Sequence, residues 1–140
     1  MVMANILTPA AVLVVWTLAM LVWMGAVRGP ALRKVGTDKL KRGARGNDLD
    51  GLIPDEVQWK AHNYDHLLEQ PTTFYAAVFI LVLSGYGPLD VLLAWIYVLV
   101  RIAHSVWQAT VNRQPGRMML FLLASAFLAA LALRALAATL

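Results

Sequence analysis

The stretch NILTPAAVLVVWTLAMLVWMGAV, residues 5–27, decides the fold, because its 23 residues include no ionisable side chain. A helix of this length measures roughly 35 Å and can cross a hydrocarbon core of about 30 Å. The apolar run is longer than that of a signal peptide, and no small-residue cleavage pattern precedes Arg28. We therefore expect a retained transmembrane helix.

The rest of the chain has the same apolar character. Of its 140 residues, 60% are hydrophobic and 14% are charged, whereas about a quarter would be charged in a soluble domain. Three further apolar segments follow, at residues 59–84, 89–112 and 117–139. The sequence predicts an all-α integral membrane protein, a single domain over residues 1–140 that folds as a four-helix bundle.

Residues 28–58 are expected to form a polar loop between the first two spans. The first half of this loop is strongly basic, with Asp38 as its one acidic residue. It contains Arg28, Arg33, Lys34, Lys39, Lys41, Arg42 and Arg45. The excess of Lys and Arg predicts that this loop is cytoplasmic and that both termini are non-cytoplasmic. The same topology accounts for the net charge of +4, so we expect contact with membrane lipid and no nucleic-acid partner.

A polar stripe runs along the third span. Arg101 lies halfway along it, where a charge costs at least about 2.5–3.5 kcal/mol on insertion scales and so needs a partner or a wet cavity. At 100° per residue, the side chains that share its face are His104, Ser105, Gln108 and Asn112. The second helix has a matching face with Lys60, Asn63, His66, Gln70 and Thr73, next to His62, Asp65 and Glu69.

Neither stripe can face lipid, so we expect the two to face each other across the bundle. Arg28 and Arg117 lie at the same depth, at the cytoplasmic ends of the first and fourth spans. The pattern predicts a basic cavity that opens at the cytoplasmic interface and suits a ligand with carboxylates or phosphates. The alternative is a buried ion pair between Arg101 and Glu69 or Asp65 that holds helices or subunits together.

Metal and cysteine chemistry are not expected. His62 and His66 are four residues apart, the spacing of metal ligands on a helix, but no acidic residue completes the pattern at the usual spacing. We predict no metal site. The chain contains no cysteine, which removes disulfides, thiolate metal ligands and a cysteine nucleophile.

Several short motifs occur in order along the four helices. They are GAVR (25–28), KAHN (60–63), EQP (69–71), RIAHS (101–105) and Arg117 after the Pro115 turn. In this order and spacing the chain resembles the MAPEG family, the membrane-associated proteins of eicosanoid and glutathione metabolism, in its bacterial type.

The resemblance implies a homotrimer of four-helix subunits with glutathione, as cosubstrate, bound between neighbouring subunits near the cytoplasmic surface. Arg117 would be the catalytic residue that stabilises the glutathione thiolate. The residues that would bind glutathione are Arg28, Lys60, Asn63, Glu69, Arg101, His104 and Gln108.

The chain departs from the family pattern at two points. In glutathione-binding members an asparagine follows the basic residue by four and a glutamate follows three later. Here those positions are occupied by Tyr64 and Leu67, and the nearby asparagine and glutamate, Asn63 and Glu69, do not fall on the family's positions. Several catalytic members have a tyrosine where this chain has Gln108.

Two functions therefore remain open. The first is a glutathione transferase or peroxidase acting on a lipophilic small molecule that arrives through the bilayer. The second is a non-catalytic scaffold or lipid-binding protein of the same fold.

Overall fold

The computed structural model describes residues 5–140, and these residues form helices and turns without any strand. The four helices are α1 (Leu7–Val35), α2 (Asp55–Ser84), α3 (Pro88–Thr110) and α4 (Gln114–Ala137). Each is long and apolar enough to cross a membrane. The predicted all-α, four-helix membrane architecture is confirmed.

Short connections make neighbouring helices antiparallel. α2 and α3 are joined through Gly85, Tyr86 and Gly87, and α3 and α4 are joined through residues 111–113. One end of the bundle therefore collects the end of α1, the start of α2, the end of α3 and the start of α4. We call it the basic end, because the cations of the long loop lie there.

α1 continues beyond the span predicted at residues 5–27 and ends at Val35, after 29 residues. Pro30 lies within the helix and removes one backbone N–H, which leaves the carbonyl of Ala26 without its usual partner but does not end the helix. Gly36 ends it with a φ of 83°, a conformation that glycine adopts without a steric cost. α2 begins at Asp55, so the connection between the two α-helices covers residues 36–54, within the polar loop predicted at 28–58.

The loop contains two short 3-10 helices, Thr37–Lys39 and Gly46–Leu49. Leu49 and Ile53 are 6% and 4% exposed and so attach the loop to the bundle. The Asp48 carboxylate accepts a hydrogen bond from the Arg45 backbone N–H at 2.7 Å and lies 3.3 Å from Lys41 Nζ. These two contacts hold the pKa of the Asp48 carboxyl below its usual range.

At the end opposite the basic end, Asp90 joins α3 to α4. Its carboxylate accepts two hydrogen bonds from the Arg134 guanidinium of α4 and one, at 2.8 Å, from the Gly87 N–H at the start of α3. Asp90 is buried at 1% exposure. The pair thus closes one end of the bundle and satisfies one of the free N–H groups of a helix start.

The middle of the bundle is apolar with a few polar contacts between helices. Phe74 of α2 and Tyr97 of α3 stack with ring centroids 4.5 Å apart. Trp16 Nε1 of α1 donates to Ser105 Oγ of α3 at 3.0 Å. Such contacts satisfy the polar atoms of side chains that have no water available inside a bilayer.

Candidate functional site

Arg101 lies at the centre of a polar cluster where α2, α3 and α4 meet. It is 0% exposed. Its Nη2 donates to the His66 carbonyl at 3.0 Å and lies 3.2 Å from His66 Nδ1. The rings of His66 and His104 stack with centroids 5.1 Å apart, and Phe121 of α4 meets the His66 ring edge-on at 5.4 Å. The prediction that the polar faces of α2 and α3 meet is confirmed.

Several buried polar atoms on α2 and α3 have no hydrogen-bond partner among residues 5–140. They include Arg101 Nε and Nη1, both amide atoms of Asn63, and Gln108 Oε1. Asn63 and Gln108 are only 1% and 5% exposed. A buried polar group without a partner costs about 1–3 kcal/mol, and more if it is charged. The cluster therefore has unused capacity for hydrogen bonds, above all the donors of Arg101.

Arg101 does not form the ion pair considered as the alternative. Among residues 5–140, no carboxylate lies within 4.0 Å of its guanidinium. The Glu69 side chain is 68% exposed, and its Oε2 lies 3.9 Å from His66 Nε2. Asp65 is exposed as well. Both carboxylates lie on the outer side of α2, so the inner side presents His66 to Arg101 instead.

Among residues 5–140 of the single chain, the Arg101 cluster is closed to solvent, and the basic cavity stays a prediction. His104 is 1% exposed and Arg101 is fully enclosed. The stacked imidazoles and Phe121 fill the space between the helices. Sequence periodicity placed these residues on facing sides but could not show that their own volume closes the gap.

Arg117 lies in the first turn of α4, beside the cluster. Its Nη1 donates to Asn112 Oδ1 at 2.8 Å, and its Nη2 donates to Gln114 Oε1. Asn112 has a φ of 51°, so the chain turns sharply there and brings its side chain back to α4. The partners of the Arg117 guanidinium are neutral amides, so its positive charge is not cancelled.

Arg28 and Lys60 occupy a different corner, between α1, α2 and the loop. Arg28 Nη2 donates to the Gly46 carbonyl at 2.8 Å. Lys60 Nζ donates to the Glu56 carbonyl at 2.7 Å and lies 5.4 Å from the centre of the Trp23 ring. No hydrogen bond or ion pair in the described part of the chain joins this corner to the Arg101 cluster.

The two histidines with metal-ligand spacing also separate. His62 Nε2 lies 3.4 Å from Asp50 Oδ1 of the loop, whereas His66 turns inward to stack on His104. The two histidines therefore contact different parts of the protein, because α2 is covered by the loop on one side and by α3 and α4 on the other.

The protein is thus a four-helix membrane bundle with a buried arginine–histidine cluster and a second arginine at the start of α4. The residues that form these features are spread over most of the chain. The sequence profile of the MAPEG family matches residues 6–137. The chain belongs to the MAPEG family. No curated protein and no solved structure matches this MAPEG protein.

Sequence reasoning missed two parts of the MAPEG protein's polar framework. His66 was placed on the correct face but was not recognised as the partner of Arg101. The Asp90–Arg134 pair was missed altogether. A signal for it exists in the sequence, because the two opposite charges lie in terminal turns of consecutive antiparallel helices, at the same end.

Proposed function

We propose that this MAPEG protein binds glutathione at its basic end, on the cytoplasmic side, and conjugates it through its sulfur to a lipophilic electrophile. Binding would use Arg101, His104, Asn63 and Gln108, with Arg117 beside the thiol. By the family resemblance, the working unit is a homotrimer with glutathione between subunits. Arg28, Lys60 and Glu69 would complete that site.

The buried, unpaired charge of Arg101 is the observation that carries this proposal. A guanidinium that is 0% exposed and has no carboxylate partner in the described part of the chain is costly, because desolvation is not repaid by an ion pair. Two of its nitrogens, Nε and Nη1, have no acceptor. A ligand carboxylate would supply both the missing charge and the missing acceptors in a bidentate pair. Glutathione has two carboxylates.

Arg117 is suited to act on the thiol. Its guanidinium is held by two neutral amide oxygens, so its full charge is available to a bound thiolate. A neighbouring cation lowers a thiol's pKa and raises the thiolate fraction. The thiol proton would leave to solvent, and the thiolate would attack the electrophilic carbon. The new S–C bond forms as the carbon's leaving group departs with its electron pair.

Calorimetric titration of glutathione into the detergent-purified oligomer tests the proposal. Wild-type protein should bind saturably, and Arg101→Gln should weaken binding at least tenfold through loss of a charge-assisted pair. Arg117→Ala should reduce the rate of conjugation to a chromogenic chloronitrobenzene by at least tenfold. The matched control is Arg113→Gln, which removes an exposed cation in the same turn and should leave both measurements within twofold of wild type.

A non-catalytic role is the second candidate, and it too has an observation in its favour. Arg28 and Lys60 are both held by backbone carbonyls, and the Arg101 cluster is closed. If the folded oligomer shows no glutathione binding at millimolar concentration, the transferase proposal fails. If Arg101→Gln then also dissociates the oligomer, the cluster is an assembly element.

A further inference from the structure

The last turn of α1 and the first part of the loop form a dense basic surface, which we call the basic arm, residues 33–45. Asp38 is its one acidic residue. Its six cations are all exposed: Arg33, Lys34, Lys39, Lys41, Arg42 and Arg45. α1 is about 43 Å long at ~1.5 Å per residue, which exceeds a hydrocarbon core of about 30 Å. The end of α1 and the arm that follows it therefore lie at the depth of the lipid head groups.

The arm is held against the bundle by a clamp on one carbonyl. The Gly46 carbonyl accepts hydrogen bonds from Arg28 Nη2 at 2.8 Å and from Gln58 Nε2 at 3.1 Å. Gln58 is 3% exposed and also donates to Asp50 of the loop. With Leu49 and Ile53 buried just beyond it, the clamp fixes the loop to the bundle directly after the arm.

The arm also borders a groove that is lined by both cationic and apolar side chains. This groove has a volume of about 210 Å³. It is lined by Lys39, Leu40, Lys41, Ala44, Asp48 and Leu52. Two lysines and two leucines thus share one groove, and Leu52 is 40% exposed. The Asp48 carboxylate lies 3.3 Å from Lys41 Nζ, so Lys39 is the lysine of the groove without an ion-pair partner among the described residues. A phospholipid has the matching arrangement, with a phosphate next to its glycerol and acyl carbons.

We propose that the basic arm binds anionic phospholipid head groups, and that the Gly46 clamp positions it to do so. Clusters of four to eight Lys and Arg residues next to a transmembrane helix are attracted to anionic lipids, and the attraction falls off within a Debye length of about 10 Å. Position therefore matters as much as charge. The cations of the arm belong neither to the Arg101 cluster nor to the proposed glutathione site, so lipid binding by the arm stands whether or not glutathione binds. The clamp shares Arg28 with the proposed glutathione site.

The test is a titration of short-chain phosphatidylglycerol, with short-chain phosphatidylcholine in parallel, into the micelle-solubilised protein at low salt. We expect a clear preference for phosphatidylglycerol that disappears at about 1 M salt, where the Debye length is about 3 Å. Lys39→Gln with Arg42→Gln should weaken the affinity about 25-fold, since each surface cation is worth roughly fivefold. Glutathione binding by this variant should not change.

Gly46→Ala tests the clamp without changing any charge. A Cβ there would lie 3.1 Å from Arg28 Nη2, so the guanidinium would have to move by a few tenths of an ångström and its hydrogen bond to the carbonyl would weaken. We expect a threefold or greater loss of phosphatidylglycerol affinity. Arg113→Gln is the control, an exposed cation outside the arm, and should change the affinity less than twofold.

Three results would overturn the proposal. They are equal affinity for the two lipids, an unchanged affinity in the double variant, and competition by inorganic phosphate or heparin as effective as that by phosphatidylglycerol. The last result would assign the arm to soluble polyanions. An unchanged affinity in Gly46→Ala would remove the clamp from the proposal.

Discussion

The ion pair between Asp90 and Arg134 permits a quantitative test of what holds the bundle together. Asp90→Asn removes the charge but leaves an amide oxygen that can still accept from the Gly87 N–H. Asp90→Ala removes both contacts. Arg134→Gln removes the charge from the other side. The three variants separate the ion pair from the contact at the helix start.

The expected magnitudes follow from burial. The Asp90 side chain is 2% exposed and that of Arg134 is 43% exposed. The pair therefore lies between an exposed pair, worth about 0–1 kcal/mol, and a buried pair, whose disruption costs about 3–5 kcal/mol. We expect Asp90→Asn to reduce the free energy of unfolding by about 2 kcal/mol. Asp90→Ala should cost about 1 kcal/mol more, through loss of the contact with Gly87.

The assay is reversible unfolding in mixed micelles with increasing SDS, followed by far-UV circular dichroism. Asp90→Asn and Arg134→Gln together should cost less than the sum of the two single changes, by about 1–2 kcal/mol of coupling. If Asp90→Asn unfolds within about 0.3 kcal/mol of wild type, or if the two changes are additive, the pair contributes nothing and the reasoning from burial is refuted.

Two further predictions concern the turns at the basic end. A Cβ at Gly116 would lie 2.6 Å from the Trp107 ring, and that ring is fixed by its hydrogen bond to the Arg113 carbonyl. Gly116→Ala should therefore destabilise the protein by about 1–3 kcal/mol in the same assay. An unchanged free energy of unfolding would show that the ring moves freely. The lowered pKa of the Asp48 carboxyl means that its contribution to loop stability is complete above about pH 4, the usual carboxyl pKa, and is lost as the pH falls through the lower folded value. Hydrogen exchange of the Arg45 amide should accelerate over that acidic range relative to an Asp48→Asn variant, and parallel profiles for the two proteins would contradict the assignment.

The fold could be predicted because membrane insertion depends on properties that are local in the sequence. The run over residues 5–27 has the length and apolarity to span a bilayer in whatever fold it occurs. Helix periodicity likewise placed Arg101, His104 and Gln108 on one face, and all three are buried. The extension of α1 to Val35 was not predicted, because Arg28 and Pro30 end a hydrophobic span without ending a helix.

The partners of the charged residues could not be predicted in the same way. Arg28, Lys60 and Arg101 were expected to line one site. Arg28 instead contacts the Gly46 carbonyl of the loop, Lys60 contacts a carbonyl in the first turn of α2, and Arg101 contacts His66. Glu69 has the correct charge and depth to pair with Arg101, yet it lies on the outer side of α2. The side of α2 that faces α3 decides which residue becomes the partner of Arg101, and no local sequence pattern encodes which side that is.

The sequence by itself therefore determined that this protein has four membrane spans, a basic end and polar faces on α2 and α3. These properties depend on the hydropathy and 3.6-residue period of each segment alone. Only the tertiary structure decided that the Arg101 cluster is closed, that Asp90 joins Arg134 and that Gly46 clamps the loop. Those outcomes depend on how far each helix is rotated and shifted against its neighbours, and the packing of all four helices sets these two quantities together.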